Sequence, residues 1–208
     1  MKKMSLLGVG FVASMLLVGC SNNTTQPSNT QQTTTQSSSS SSSQTGSSSN
    51  TTTTTTTNVA DIKISVADAI KFYQEKHPNS DITGIDIEKS LGKYVYDIEG
   101  MDDNTEYKLK FDAATKDVLE DRSEMLDADE QNGVERNYEK LDLTNLIDLN
   151  QATQAAQNEV TDGQVESWSI DKENNMTYWE VNFRVNHQEV SVKLNGQSGA
   201  ILEKEVDD

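Results

Sequence analysis

The sequence predicts an α+β protein made of two tandem units, each one helix packed on a three- to four-stranded antiparallel sheet, behind a disordered tether. Three observations carry that expectation. Residues 64–120 lie over residues 147–203 at a constant offset of 83, without a gap. Within each copy the spacing of apolar residues changes from helical to strictly alternating. Composition also breaks at residue 58, because all 34 acidic residues follow Asn58.

Taken from the N-terminus, Lys2 and Lys3 precede an uncharged run from Met4 to Gly19. This is the order of a basic and then an apolar region in a secretory signal. As a helix the run would span roughly 24 Å, short of the ~30 Å hydrocarbon core that a membrane-spanning helix must cross. Residues 1–19 are therefore read as a cleaved signal. Leu17-Val18-Gly19-Cys20 resembles the lipobox of bacterial lipoproteins, with an aliphatic residue three before the cysteine and a small residue just before it. The resemblance implies that the Cys20 thiol is alkylated with diacylglycerol and becomes the first residue after cleavage. It also accounts for a chain with one cysteine, since an unpaired extracellular thiol is reactive unless consumed. Two acyl chains suffice for stable anchoring where one is marginal.

Residues 21–58 carry no charge and consist almost wholly of Ser, Thr, Asn and Gln, including runs of seven serines and seven threonines. Such a segment has almost no apolar surface to offset its ordering entropy, so residues 20–58 are read as a lipidated cysteine and a disordered tether. A flexible coil of that length reaches about 35 Å end to end. With Lys2 and Lys3 removed from the 17 basic residues, 15 remain against 34 acidic ones, a net charge of −19. That balance excludes nucleic acid as a partner, because phosphate binding needs a basic footprint.

The first copy begins at a helix cap, Ser65-Val66-Ala67-Asp68, and the second at Asp148-Leu149-Asn150-Gln151, each pairing an N-cap oxygen with an acid or amide three residues on. Apolar stripes follow: Val66, Ala69, Ile70, Tyr73, and then Leu149, Ala152, Thr153, Ala156. Pro78 stops the first helix and Thr161-Asp162-Gly163 the second. Alternation then takes over. Ile85, Ile87, Tyr94, Tyr96, Ile98, Tyr107, Leu109 and Phe111 face the helix, with Trp168, Ile170, Trp179, Val181, Phe183, Val190, Val192 and Leu194 as their counterparts. Asp86, Asp97, Lys108 and Lys110 point the other way. Short closing strands are expected at Val118-Leu119 and Ile201-Leu202.

Between the copies, residues 123–142 read as an acidic, solvated connector. Asp127, Asp129 and Gln131 resemble the opening of a calcium loop, but Asn132 stands where the sharp turn needs Gly and Tyr138 where a bidentate Glu belongs. No metal site or cofactor is expected.

The order of elements, with Tyr96-Asp97-Ile98 and Phe111-Asp112-Ala113-Ala114-Thr115-Lys116-Asp117-Val118-Leu119, is similar to the PepSY domain; Trp179-Glu180-Val181 and Leu194 to Leu202 match more loosely. The turn usually carries Gly after Thr, which Gly199 keeps and Lys116 does not. The resemblance covers residues 59–122 and 143–206. It implies a fold found in propeptides of thermolysin-like metallopeptidases and in bacterial surface proteins, and it brings no catalytic residues.

The residues themselves offer no catalytic constellation either. His77 and His187 fall at unmatched positions of the two copies, each at a helix end or turn, and are expected to be exposed. There is no His-Glu-x-x-His, second cysteine or Gly-x-Ser-x-Gly. Trp168, Trp179 and Phe183 alternate into the core, whereas Tyr178, Met176 and Arg184 share the opposite face and are the candidate contact residues. The expected function is a non-catalytic lipoprotein on the extracellular face of a Gram-positive membrane. It would bind and regulate a peptidase or another envelope protein; the alternative is an acidic wall spacer that holds cations or basic wall polymers. Cys20→Ala is expected to abolish lipid labelling and to leave an unprocessed precursor or a shed protein. Normal membrane retention of that variant would overturn the anchor.

Overall fold

The structure, a computed structural model, describes residues 58–207. The segments read as signal and tether, with Cys20, lie outside the described residues. A single 3-10 turn, Asn58–Asp61, leads into α1, Val66–Lys76. The Asp68 N–H donates to the Ser65 hydroxyl oxygen at 3.1 Å, so the expected cap forms. In the second copy α3, Leu149–Gln157, starts with a full capping box: Gln151 N–H donates to the Asp148 carboxylate at 2.9 Å, and Asp148 N–H to the Gln151 side-chain oxygen at 3.0 Å. Both helices bury the predicted stripe, Val66, Ala69 and Tyr73 in one and Leu149, Ala152, Thr153 and Ala156 in the other. The hydroxyl end of Tyr73 abuts Gly100, where an added Cβ would collide with that hydroxyl and come within 2.5 Å of the Asp81 carbonyl oxygen.

Each copy supplies four strands: β1 Asp81–Ser90, β2 Lys93–Met101, β3 Thr105–Asp112 and β4 Val118–Met125, then β5 Gln164–Glu173, β6 Met176–Val185, β7 Gln188–Asn195 and β8 Ile201–Asp207. Two separate sheets were expected. Instead the strands form one antiparallel sheet in the order β4-β3-β2-β1-β5-β6-β7-β8, because β1 pairs with β5. The register there is symmetric. Ile85 faces Ile170, Asp86 faces Ser169 and Ile87 faces Trp168; at an offset of 83 the outer two pairs exchange with the copies and the central one maps onto itself. A pseudo-dyad therefore passes through Asp86 and Ser169. Bulges recur at matched places, Ile82/Gly84 with Val165/Ser167 and Lys110/Phe111 with Lys193/Leu194. Alternation tells which face of a strand is buried but not which edge it meets, and so the sequence pattern was silent about this join. Pairing the first strands removes two open edges and gives two units of about 60 residues one continuous core.

Turn chemistry is duplicated too. Leu91-Gly92 and Asn174-Asn175 hold positive φ at both central positions, as a two-residue hairpin of this twist requires. Leu91 is the odd member, fully exposed in a conformation that suits Asn or Gly. Lys116 (φ 65°) occupies the left-handed position that Gly199 (φ 69°) fills in the other copy, with its ammonium 5.2 Å from the Phe72 ring centre. Asp112 and Asn195 stabilise these matched turns, accepting N–H groups from Ala114 and Thr115, and from Gln197 and Ser198.

Two expectations require correction. The closing strands are eight and seven residues long, and because every residue of β8 is exposed there was no apolar alternation to reveal its length. The acidic connector is also held in place. Leu126 N–H donates to the Asn104 carbonyl, α2 (Val134–Glu139) follows, and the Arg136 guanidinium reaches Asp81 at 2.9 Å and Asp103 at 3.0 Å. Leu141 is buried and its N–H donates to the Ile82 carbonyl. Ion pairs and single backbone bonds leave no periodic trace in a sequence.

Trp168 lies on the join, fully buried, with its ring 5.6 Å from that of Tyr94 across the two copies. Trp168→Ala is expected to cost about 3–5 kcal/mol. Hydrogen exchange should show amides of β2 and β3 losing protection together with those of β6 and β7. Loss confined to residues 147–205 would contradict a shared core.

Candidate functional site

Helices α1 and α3 cover one face of the sheet, and the opposite face carries an ordered row of charges. Following the strand pairings, Glu120, Lys110, Asp97 and Asp86 run in to the pseudo-dyad, and Ser169, Glu180, Lys193 and Glu203 run out from it. Acid and lysine alternate in the outer part of each half, Glu120-Lys110-Asp97 and Glu180-Lys193-Glu203, as cross-strand neighbours of opposite charge should, whereas Asp97 and Asp86 set two acids side by side at the centre.

Asp97 is the most enclosed member, 6% exposed although it points away from the helices. The long stems of Lys108 and Lys110 lie over it, and their ammonium groups reach its Oδ2 at 3.0 and 3.2 Å. Lys108 also meets Glu99 at 2.7 Å and Lys110 meets Glu88 at 2.9 Å. Burial works against the Lys108 charge, but the hydrogen bonds it donates to Glu99 and Asp97 outweigh that and push its pKa up to about 12. In the second copy Lys193 stands among Glu203 at 3.5 Å, Glu173 at 3.9 Å and Glu180 at 4.0 Å, over the ring of Tyr178.

The centre of the row has fewer cations. Desolvation within the sheet surface, followed by the carboxylates of Asp171, Asp97, Glu99 and Glu88, pushes Asp86 up to about 7. Burial likewise raises Asp171, which accepts a hydrogen bond from the Ser169 hydroxyl at 2.6 Å, and burial raises Glu180. This carboxylate centre escaped the reading of the sequence, because Asp86 and Asp171 come from different copies and meet only through the β1–β5 join.

The predicted contact residues lie along β6. Tyr178 is partly buried and its hydroxyl pKa is raised, by burial first and then by Asp171, Glu180 and Glu173. Met176 is partly buried and pairs with Glu173. Arg184 is exposed, its guanidinium 2.8 Å from Glu166 and 3.7 Å from Glu189. All three share one face, yet six residues of strand put Arg184 about 20 Å from Tyr178, so they form a line and not a pocket. His187 is exposed as expected, whereas His77 is not. Its side chain is 11% exposed, packed between Tyr73 and Tyr107, with Nε2 3.2 Å from Asp121. The helix end that looked solvated is closed over by β3 and β4. Trp168, Trp179 and Phe183 are buried, and the Trp168 N–H donates to the Thr153 hydroxyl at 2.8 Å. Among the described residues no group of His, Cys, Asp and Glu is arranged to hold a metal ion.

Comparison with known families finds the peptidase propeptide and YPEB domain, PepSY, at residues 63–122 and again at 146–205. The chain belongs to the PepSY family. Its two repeats occupy the two halves of the sheet, one on each side of the pseudo-dyad. A solved relative is the crystal structure of a candidate lipoprotein from Clostridium difficile 630, 40% identical, with a TM-score of 0.67, over 70% of this chain and 95% of that one. Comparison with curated proteins finds no match. No helix among the described residues is long and apolar enough to cross a membrane.

Where the two PepSY repeats meet, the raised Asp86 pKa has a definite consequence for stability. Its folded value of about 7 lies above that of an unfolded aspartate near ~3.9, so folding opposes ionisation. The penalty is absent below pH ~4, grows between pH ~4 and ~7 and is constant above. Asp86→Asn should therefore raise the urea midpoint at pH 8 and leave it nearly unchanged at pH 4, with the gain reduced by added salt because Asp86 still reaches solvent. An equal effect at both pH values would show that the surroundings do not raise the Asp86 pKa.

Proposed function

We propose that this tandem PepSY protein is a non-catalytic binding module, held by a lipid on Cys20 at the outer face of a Gram-positive cell membrane, that engages and restrains a peptidase or another envelope protein. The observation that carries the reading is duplication of a propeptide-type fold within one sheet. A fold that accompanies peptidases as a propeptide acts by covering a surface rather than by chemistry. The relative described as a candidate lipoprotein supports the anchored location. The uncovered face bearing Tyr178, Met176 and Arg184 is the contact surface in this reading, with Tyr178 as a rigid, partly buried anchor.

The purified fragment 59–208 should hydrolyse no peptide, ester or glycan substrate and should slow at least one secreted or wall-bound peptidase of its own organism. Tyr178→Ala combined with Arg184→Glu is expected to weaken that inhibition by more than ~1 kcal/mol while lowering the melting temperature only slightly, because the Arg184 ion pairs are exposed and Tyr178 lies outside the core. The acidic face also favours a spacer that holds basic wall polymers. A fragment that leaves every native peptidase unaffected, but binds purified wall material only below ~0.3 M salt, would establish that alternative instead.

A further inference from the structure

The two edges of the sheet are symmetric in position but not in charge. On the face away from the helices β4 presents Glu120, Arg122 and Glu124, and Arg122 compensates its own strand by pairing with Glu120 at 3.1 Å. The matching face of β8 presents Glu203, Glu205 and Asp207, three acids in succession along one edge. Of these only Glu203 has an ion-pair partner among the described residues, Lys193. Asp207 stands directly opposite Glu189, whose own cation is Arg184 on the far side.

We infer that the β8 edge accepts a ninth strand, an extended segment of a protein partner with Lys or Arg at alternate positions. The rows across the sheet specify the chemistry. Glu180, Lys193 and Glu203 alternate in sign, so the next strand out completes the row with a cation. Glu205 and Asp207 end their rows on a negative charge as well. On the other face Ile201 and Val206 are 39% and 53% exposed, and Lys204 is turned inward to the Glu159 carbonyl at 2.7 Å. Apolar residues between the cations would cover Ile201 and Val206. Among the described residues no strand lies beyond β8, no helix covers it and no proline interrupts it, so its charges, the inward-turned Lys204 included, are what an added strand has to match. A second copy is the wrong occupant, because β8 against β8 sets acid opposite acid.

This inference rests on the binding-module reading and adds the edge and the chemistry of the partner. The test uses the full chain with three end-blocked peptides about as long as β8: alternating Val and Lys, alternating Val and Glu, and the Val-Lys peptide N-methylated at every second residue. At ~0.15 M salt the Val-Lys peptide should bind about tenfold more tightly than either control, and amides of residues 201–207 should gain protection from hydrogen exchange. Glu203→Lys with Glu205→Lys should transfer the preference to the Val-Glu peptide. Equal binding of the N-methylated peptide would show attraction by charge without a ladder and overturn the inference, as would absence of binding or protection elsewhere. If the peptides fail while a native peptidase is still inhibited, the edge alone is wrong; if the peptides bind and no peptidase is slowed, the functional reading is.

Discussion

The antiparallel contact between β1 and β5 is the constraint on which the rest of this protein depends. Only three residue pairs form its ladder, yet it converts two small units into one eight-stranded sheet and lets Trp168 of one repeat pack against Tyr94 of the other. A unit of about 60 residues buries too small a fraction of its surface to be robust alone. Joined through their first strands, the two repeats share a single cluster running from Ile64 to Leu194.

The same join creates the charge pattern of the open face. Each half alternates acid and lysine by itself, and the join, symmetric about Asp86 and Ser169, sets the two halves end to end in one row. Symmetry also brings carboxylates together at the centre, where Asp86 is raised to about 7 and Asp171 is raised with it. The cost of gathering like charges is tolerated because Asp97 is firmly paired by Lys108 and Lys110 on one side, and Glu180 has Lys193 near it on the other. Function, in the reading advanced for this PepSY protein, belongs to this face and to the edges it ends in.

Differences between the repeats show what duplication left free to vary. The end of α1 is closed by His77 between two tyrosines and by Asp121, whereas the matching place after α3 is closed by Val160, buried and apolar. Lys116 and Gly199 share a left-handed backbone although only one of them suits it. At that turn the backbone is the same in both copies although the side-chain chemistry is not.

Local physics was legible in the sequence. The caps at Ser65 and Asp148, the helical stripes, and the alternating strands through Tyr96, Ile98, Trp179 and Val181 all follow from periods of 3.6 and 2 and from turn residues, and these depend on near neighbours alone. The contact residues Tyr178, Met176 and Arg184 could be placed on a common face for the same reason, although not at their true separation. Tertiary structure alone decided which edges meet, how far β4 and β8 extend, that Arg136 pins the connector, and that His77 is enclosed. Each of those turns on a partner tens of residues away in the chain. A period in sequence says which way a side chain points, and only the folded sheet says what it points at.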